Sequence, residues 1–354
     1  MEPLADTLVR TEFTPGTTYL NTASTGLLPA RAVTAMRQAV ESVARGAPAD
    51  MFADVEASRA SFARLMGVPA GRVAAGASVA VYTGLIAASL PPGAEVLTAE
   101  QDFSSVVTPF HVRQDLKVRA VPLERIADEV RPGTALVAVS AAQSADGRLV
   151  DLPALREAAR THGARTYIDM SQAAGWLPMD VAADGWDYVS AVAFKWLVCP
   201  RGVAFLTVPE DLGGLSPVFA GWVAGEEPWE SCYGPVQELA HSARRFDESP
   251  SLFSYAGARH SLALLEEVGV AAIGTHDLSL AARFRTGLTH LGHTPVPAPG
   301  SPIVSVPNLG THQPDLSRAG VEVSNRAGNL RAAFHLYNTE EDVDRLLNAL
   351  TPAS

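Results

Sequence analysis

Seven short apolar runs, rich in β-branched residues and separated by helical or loop patterns, constrain this chain more than any other feature. They read RVAAGA, EVLTAEQD, KVRAVPL, TALVAVSA, ARTYIDM, DYVSAVAF and GVAFLTV, and they fall between residues 72 and 208. Strand and helix signals in alternation specify a doubly wound α/β domain with a mainly parallel sheet. Parallel strands need long crossovers, crossover helices cover both faces, and strands buried on both faces lose the polar alternation of a half-exposed strand. The helices carry their own punctuation: DLPALREAARTHG starts at Asp151, an N-cap residue type, and stops at Gly163.

At 354 residues the chain exceeds the roughly 250–300 residues at which single cores split. The α/β pattern occupies 18–250. After FDESPSLFSYAG it gives way to two helical stretches, a short strand run, SPIVSVP, and a last amphipathic helix, TEEDVDRLLNAL. A smaller α+β domain is expected over 251–354, with residues 1–17 as an N-terminal arm packed on it.

The balance of charge excludes some functions. A net charge of −11 without any block of Lys or Arg repels a phosphate backbone, so nucleic acid is not an expected partner. No stretch reaches the ~20 apolar residues that span a bilayer, and MEPLADTLVRTEF lacks the basic start and apolar run of a secretory signal. The expectation is a cytoplasmic protein with no membrane partner. Cys199 and Cys232 are too few for a disulfide framework and have no closely spaced ligands for zinc; both are expected to be reduced, and no metal is expected.

VAFKWLVCPRG, residues 192–202, sets a lysine in an otherwise apolar run at a strand end. Ligands of open α/β sheets bind beyond the carboxyl ends of strands, where Lys195 lies. Asp169 in YIDMSQAAGW holds the same place on the preceding strand, with Gln172 three residues on. AAGASVAVYTG leaves a strand through small residues and opens a helix, so the amides near Ser78 can hold a phosphate. Phe103 in AEQDFSSVV offers a flat ring just past another strand. Singly each has a structural explanation: a surface lysine or ion pair, a small-residue helix start, a packed aromatic. Pyridoxal phosphate accounts for them as a set, since it needs an amine for its aldehyde, a carboxylate for its ring nitrogen, a donor for its phenolate, a ring platform and a phosphate cradle. An imine-forming lysine must shed its proton, and burial favours the neutral amine.

These residues resemble the class V aminotransferase superfamily of fold-type I pyridoxal-phosphate enzymes, which includes cysteine desulfurases, isopenicillin N epimerase-like proteins and kynureninase. The resemblance runs through YLNTASTG, GASVA, AEQDFSSVV, VSAAQSADG, YIDMSQAAGWLPMD, AFKWLVCPRG and LRAAFHLYNTEEDVDRL. It implies a large domain with a mainly parallel seven-stranded sheet and a smaller C-terminal domain. It implies Lys195 as the imine lysine, Asp169 at the pyridine nitrogen, Gln172 at the phenolate, Phe103 as the stacking ring, and Ser78 with Ala77 and Val79 at the phosphate. Ser144 is placed at the cofactor, and Ala23 beside the substrate. Arg331 matches the arginine that grips the substrate α-carboxylate, a task suited to a bidentate fork; a surface ion pair is its alternative. Ser249 in FDESPS matches a hydroxyl that reaches the phosphate of a neighbouring subunit, which implies a homodimer with interfacial sites.

Two departures narrow the chemistry. Desulfurases carry a histidine before the lysine and a hydroxyl three before it, where this chain has Phe194 and Val192. They also carry a nucleophilic cysteine on a loop between an Arg-x-Gly segment and the carboxylate arginine, whereas here SNRAGNLRAAF runs from Arg326 almost directly into Arg331. An aminotransferase-type enzyme acting at Cα of an amino acid is the first expectation, because it demands the fewest further groups. A β-eliminating C–S lyase comes second, epimerisation third, and a scaffold that has lost its chemistry is the non-enzyme alternative. In GWVAGEEPWESCYG, Trp222, Trp229 and Tyr233 either line a substrate pocket or pack.

Overall fold

The computed structural model describes residues 6–47 and 50–351. In chain order its helices and strands are α1 (Asp6–Glu12), β1 (Thr18–Tyr19), α2 (Ala30–Ala44), α3 (Met51–Leu65), β2 (Val73–Gly76), α4 (Val79–Ser89), β3 (Glu95–Ala99), α5 (Ser104–Val112), β4 (Lys117–Val121), β5 (Thr134–Ser140), α6 (Leu152–His162), β6 (Arg165–Asp169), α7 (Val181–Asp184), β7 (Tyr188–Val192) and β8 (Ala204–Thr207). The C-terminal part adds α8 (Leu252–Val268), α9 (Val270–His290), β9 (Ile303–Val306), α10 (Gln313–Arg318), β10 (Val321–Glu322), β11 (Ser324–Arg326), β12 (Asn329–Ala333) and α11 (Glu340–Leu350).

All seven apolar runs become strands of one sheet, in the order β2-β8-β7-β6-β5-β3-β4. Their side chains alternate between two apolar layers. In β5, Leu136 and Ala138 enter one cluster and Val137 and Val139 the other; in β6, Tyr167 and Ile168 divide the same way. Each fully buried aliphatic side chain contributes about 1.5–3 kcal/mol. α6 begins where its N-cap predicts, with the Asp151 carboxylate accepting from the Ala154 amide, and it ends at Gly163 in the left-handed conformation.

β8 alone runs against its neighbours, antiparallel to both β2 and β7. This reversal positions the site. The carboxyl ends of β2, β5, β6 and β7 share one edge of the sheet, and β8 starts from that same edge, so the approach to β8 at Arg201 reaches it too.

The smaller C-terminal domain holds the antiparallel sheet β11-β12-β9 against α9 and α11, around Leu280, Phe284, Val304, Leu330, Phe334, Val343 and Leu346. Two segments lie across the boundaries read from the sequence. β1, placed at the start of the large domain, pairs in parallel with β10, and Asn21 bridges Ala333. α8, placed in the C-terminal domain, buries Tyr255, Ala258, Leu262 and Leu265 in the layer under the large sheet, because its apolar side chains complete the face covered by α2 and α3. In the N-terminal arm, Val9 and Phe13 are buried, and the Phe13 ring lies 5.1 Å from that of Tyr337; residues 1–5 of the arm lie outside the described residues. No helix among the described residues is long and apolar enough to cross a membrane.

Candidate active site

Lys195 sits in the turn that follows β7, and the backbone around it is clamped from several sides. The Phe194 carbonyl accepts from the Gly26 amide at 2.9 Å, the Lys195 carbonyl from Val198 at 3.1 Å, and the Trp196 carbonyl from His335 Nε2 at 2.9 Å. A Cβ at Gly26 would collide with the Lys195 carbonyl oxygen, and one at Gly175, where φ is +111°, with the Trp196 carbonyl oxygen. Both glycines are there because backbone passes against backbone. The side chain of Lys195 is 6% exposed, and no hydrogen bond or ion pair from the described residues holds its Nζ.

Asp169 closes β6 on the adjacent strand and is 3% exposed. Its Oδ1 accepts from the Ser171 amide at 3.0 Å and the Ser171 hydroxyl at 2.6 Å, while Oδ2 meets no donor among the described residues. Burial pushes this carboxyl up to about 6, opposed by the Ser171 bonds and by Lys195. Burial also pushes the Lys195 ammonium down to about 8 against the pull of Asp169, and Arg331, Arg201 and Arg326 press in the same downward direction. Near pH 7 the pair therefore carries an anionic carboxylate and an ammonium that is still mostly protonated but gives up its proton far more readily than a free lysine.

A cavity of about 400 Å³ joins these two side chains to Ala23, Ser24, Ala77, Ser78, Val79, Phe103 and Ser144, and to Arg201, Arg326 and Arg331. Phe103 is 43% exposed, and its ring centroid lies 5.1 Å from Lys195 Nζ. The buried Asp102 fixes it, accepting from the Phe103 amide at 2.6 Å and from the Ser140 amide and hydroxyl at 2.8 and 2.6 Å. Ser78 caps α4 by accepting from the Ala80 amide. The Ala77 amide donates to a carboxylate oxygen of Glu248 at 3.0 Å, so this helix start already holds an oxyanion.

Arg331 is 1% exposed and has no carboxylate partner among the described residues, which removes the surface ion pair as its explanation. Its Nη1 donates to the carbonyl and hydroxyl of Ser144, its Nε to Ser324 Oγ at 3.1 Å, and its Nη2 to Ser24 Oγ at 2.8 Å. Burial and the neighbouring Arg326 push this guanidinium down to about 9. It remains charged at neutral pH, and a carboxylate would relieve the cost of its burial.

Two expected site residues stand elsewhere. Gln172 lies behind the wall: its Nε2 donates to the Ala23 carbonyl and to Ser144 Oγ, both at 2.9 Å, and its Oε1 accepts from Trp196 Nε1 at 2.8 Å. With both amide hydrogens committed, it positions Ala23 and Ser144 and offers no donor to a phenolate. Trp222 packs edge-on against Phe52, centroids 5.8 Å apart, and against Trp229 at 5.1 Å, outside the cavity lining; aromatic packing draws it there. Ser249, expected at a neighbouring subunit's phosphate, is exposed on this chain. Sequence reasoning missed Ser24, Arg201 and Asp102 as site residues and gave Arg326 no role. Pro-Arg-Gly at 200–202 was visible, but not the reversal of β8 that carries Arg201 to the cavity.

The lining fits pyridoxal phosphate: a buried carboxylate with one uncommitted oxygen, an amine whose proton burial loosens, an exposed ring face beside it, and a helix start that binds an oxyanion. Known proteins agree. The family described as aminotransferase class-V matches residues 18–346. An uncharacterized aminotransferase, YcbU of Bacillus subtilis, is 27% identical over 311 residues, covering 83% of this chain and 82% of its own. Isopenicillin N epimerase of Amycolatopsis lactamdurans is 28% identical over 386 residues, covering 96% of each chain. The solved structure of the cystine C–S lyase C-DES with its product cysteine persulfide superposes with a TM-score of 0.86 at 22% identity, covering 96% of this chain and 98% of that one, a likeness of fold. The extent of the family match and the chemistry of the cavity lead to one conclusion: this chain belongs to the class V aminotransferase family and is an enzyme of pyridoxal 5′-phosphate.

Proposed function

We propose that the enzyme acts at Cα of an amino-acid substrate in the aminotransferase manner, with Lys195 taking and returning the Cα proton. Bound pyridoxal phosphate supplies an aldehyde that captures amines and a ring that withdraws electrons from Cα. The other parts belong to the chain. Asp169 would supply a negative charge for the ring nitrogen, Phe103 would give the ring a platform, and the α4 start with Ser78 and the Val79 amide would receive the phosphate. Arg331 orients the substrate through its α-carboxylate. The observation that carries the reading is the lining itself: its described basic groups for a Cα proton are Asp169, which this reading gives to the ring nitrogen, and Lys195, whose amine burial lowers to about 8. One base favours chemistry on a single face of Cα over two-base epimerisation.

A β-eliminating C–S lyase is the second reading. With Ala327 and Gly328 alone joining β11 to β12, no inserted loop fills the side-chain end of the cavity, which leaves room for a leaving group beyond Cβ. A homodimer fits the exposure of Val218, Phe219, Trp229 and Tyr233 and of Ser249, and the two reduced cysteines fit the cytoplasm.

The deciding experiment assays the holoenzyme with a panel of amino acids, cysteine conjugates and sulfoxides. Aminated cofactor with a 2-oxo acid supports the first reading; pyruvate with ammonia supports the second. D-isomer formation without either would overturn both.

A further inference from the structure

Three guanidinium groups converge on two adjacent hydroxyls at the cavity mouth. Ser24 Oγ accepts from Arg331 Nη2 at 2.8 Å and from Arg326 Nη2 at 2.9 Å, and Thr25 Oγ1 accepts from Arg201 Nη2 at 2.8 Å. All three arginines line the cavity with Lys195, and the lining holds one carboxylate, Asp169. Several surface arginines elsewhere meet carboxylates, as Arg31 meets Glu12, Arg113 meets Asp115 and Arg283 meets Asp344, while others among the described residues, such as Arg37 and Arg345, stand singly in solvent; three gathered at one cavity are a different case. Among the described residues neither Arg201 nor Arg326 has such a partner. Like charges gathered at neutral hydroxyls repel one another, and an anion between them would relieve that repulsion.

The placement of both arginines is built into the fold. β11 turns into β12 through Ala327 and Gly328 alone, both at positive φ, +50° and +84°, the signature of a two-residue hairpin turn. The register pairs Ser324 with Arg331 and Arg326 with Asn329, so Arg326 and Arg331 stand on one face of the hairpin. Arg201 is held by its carbon lying 4.1 Å from the Phe194 ring centroid, at the entry to the reversed strand β8.

We propose that Arg201 and Arg326, with the hydroxyl of Ser24, form a second anion subsite that binds a carboxylate on the substrate's side chain, so that the substrate is a dicarboxylic amino acid. This rests on the reading above that Arg331 takes the α-carboxylate. The two carboxylates of the substrate then bind close together, since Arg331 and Arg326 share Ser24 Oγ, and a dicarboxylate is favoured over an apolar side chain of equal length because its second anion offsets the repulsion among the three guanidiniums.

The test is calorimetric titration of the holoenzyme with two series matched in chain length: L-glutamate, L-2-aminoadipate and L-2-aminopimelate against L-norvaline, L-norleucine and L-2-aminoheptanoate. At least one dicarboxylate is expected to bind tenfold or more tightly than its matched monocarboxylate, and Arg326→Gln and Arg201→Gln are each expected to collapse that ratio toward one. No preference in any pair, or a preference that survives the Arg201→Gln/Arg326→Gln double variant, overturns the proposal. So does a double variant whose main defect is weaker uptake of pyridoxal phosphate by the apoprotein, since the arginines would then serve the cofactor's phosphate. Arg331→Lys tests the underlying reading separately: it should weaken both series alike, and undiminished binding of both would remove Arg331 from the α-carboxylate whatever the ratio shows.

Discussion

His335 Nε2 lies 2.9 Å from the carbonyl oxygen of Trp196, the residue directly after Lys195. A carbonyl only accepts, so this nitrogen carries a hydrogen. Nδ1 faces Asp277 Oδ2 at 2.9 Å, and both side chains are fully buried. The dyad ties the C-terminal domain to the peptide that sets the direction of the lysine.

Replacing His335 by Gln removes the partner of a buried carboxyl whose pKa burial already raises. We expect a loss of about 3–5 kcal/mol, read by denaturant unfolding. His335→Gln/Asp277→Asn should recover part of it, since the second change removes the stranded charge. A double variant no more stable than His335→Gln would show that the cost lies elsewhere.

Gly26→Ala drives a methyl group into the Lys195 carbonyl oxygen. The backbone must shift at the reactive residue, so covalent capture of pyridoxal phosphate, trapped with borohydride and weighed by mass spectrometry, should fall by an order of magnitude or more while circular dichroism keeps its shape. Gly16→Ala, which meets nothing within 4 Å, is the matched control and should capture normally.

The pH dependence of capture follows from burial of the amine. Lys195 is lowered from 10.5 to about 8, so its neutral fraction rises about tenfold per pH unit up to about pH 8 and then levels. Asp169, raised to about 6, is already ionised over that range. The initial rate of capture by the apoprotein should trace this curve, and Lys195→Ala should abolish it. A rate still climbing about tenfold per unit at about pH 9 would show an amine exposed to water.

Glu248 places a carboxylate on the Ala77 amide, at the helix start that would receive a phosphate. Glu248→Gln removes a like charge, and the apoprotein should bind pyridoxal phosphate several-fold to about tenfold more tightly, while pyridoxal without its phosphate gains nothing. Equilibrium dialysis of both forms checks this; equal gains would assign the effect to packing.

What was legible in the sequence was what local pattern encodes. The seven strands were visible because strands buried on both faces are nearly continuous apolar runs. Lys195 and Asp169 were visible because each ends such a run, where sheets of this kind bind ligands. Long-range geometry was less so. Gln172 carried the right chemistry at the right spacing, yet its donors went to Ala23 and Ser144, residues distant in sequence. The role of Arg201 depends on β8 running backwards, which no run of valines and phenylalanines announces. α8 read as a C-terminal element because its pattern follows the change from strands to helices, but its apolar side chains match the layer under the large sheet.

The turn at Ala327 and Gly328 has a last consequence. Neither cysteine lines the cavity: Cys199 is buried and Cys232 exposed, and a turn this short leaves no tether on which a thiol could swing in. Within this chain, then, no thiol is tethered where it could take a sulfur atom from a molecule bound beside Lys195, so any sulfur chemistry at this cavity would have to finish on a small acceptor that enters from solvent.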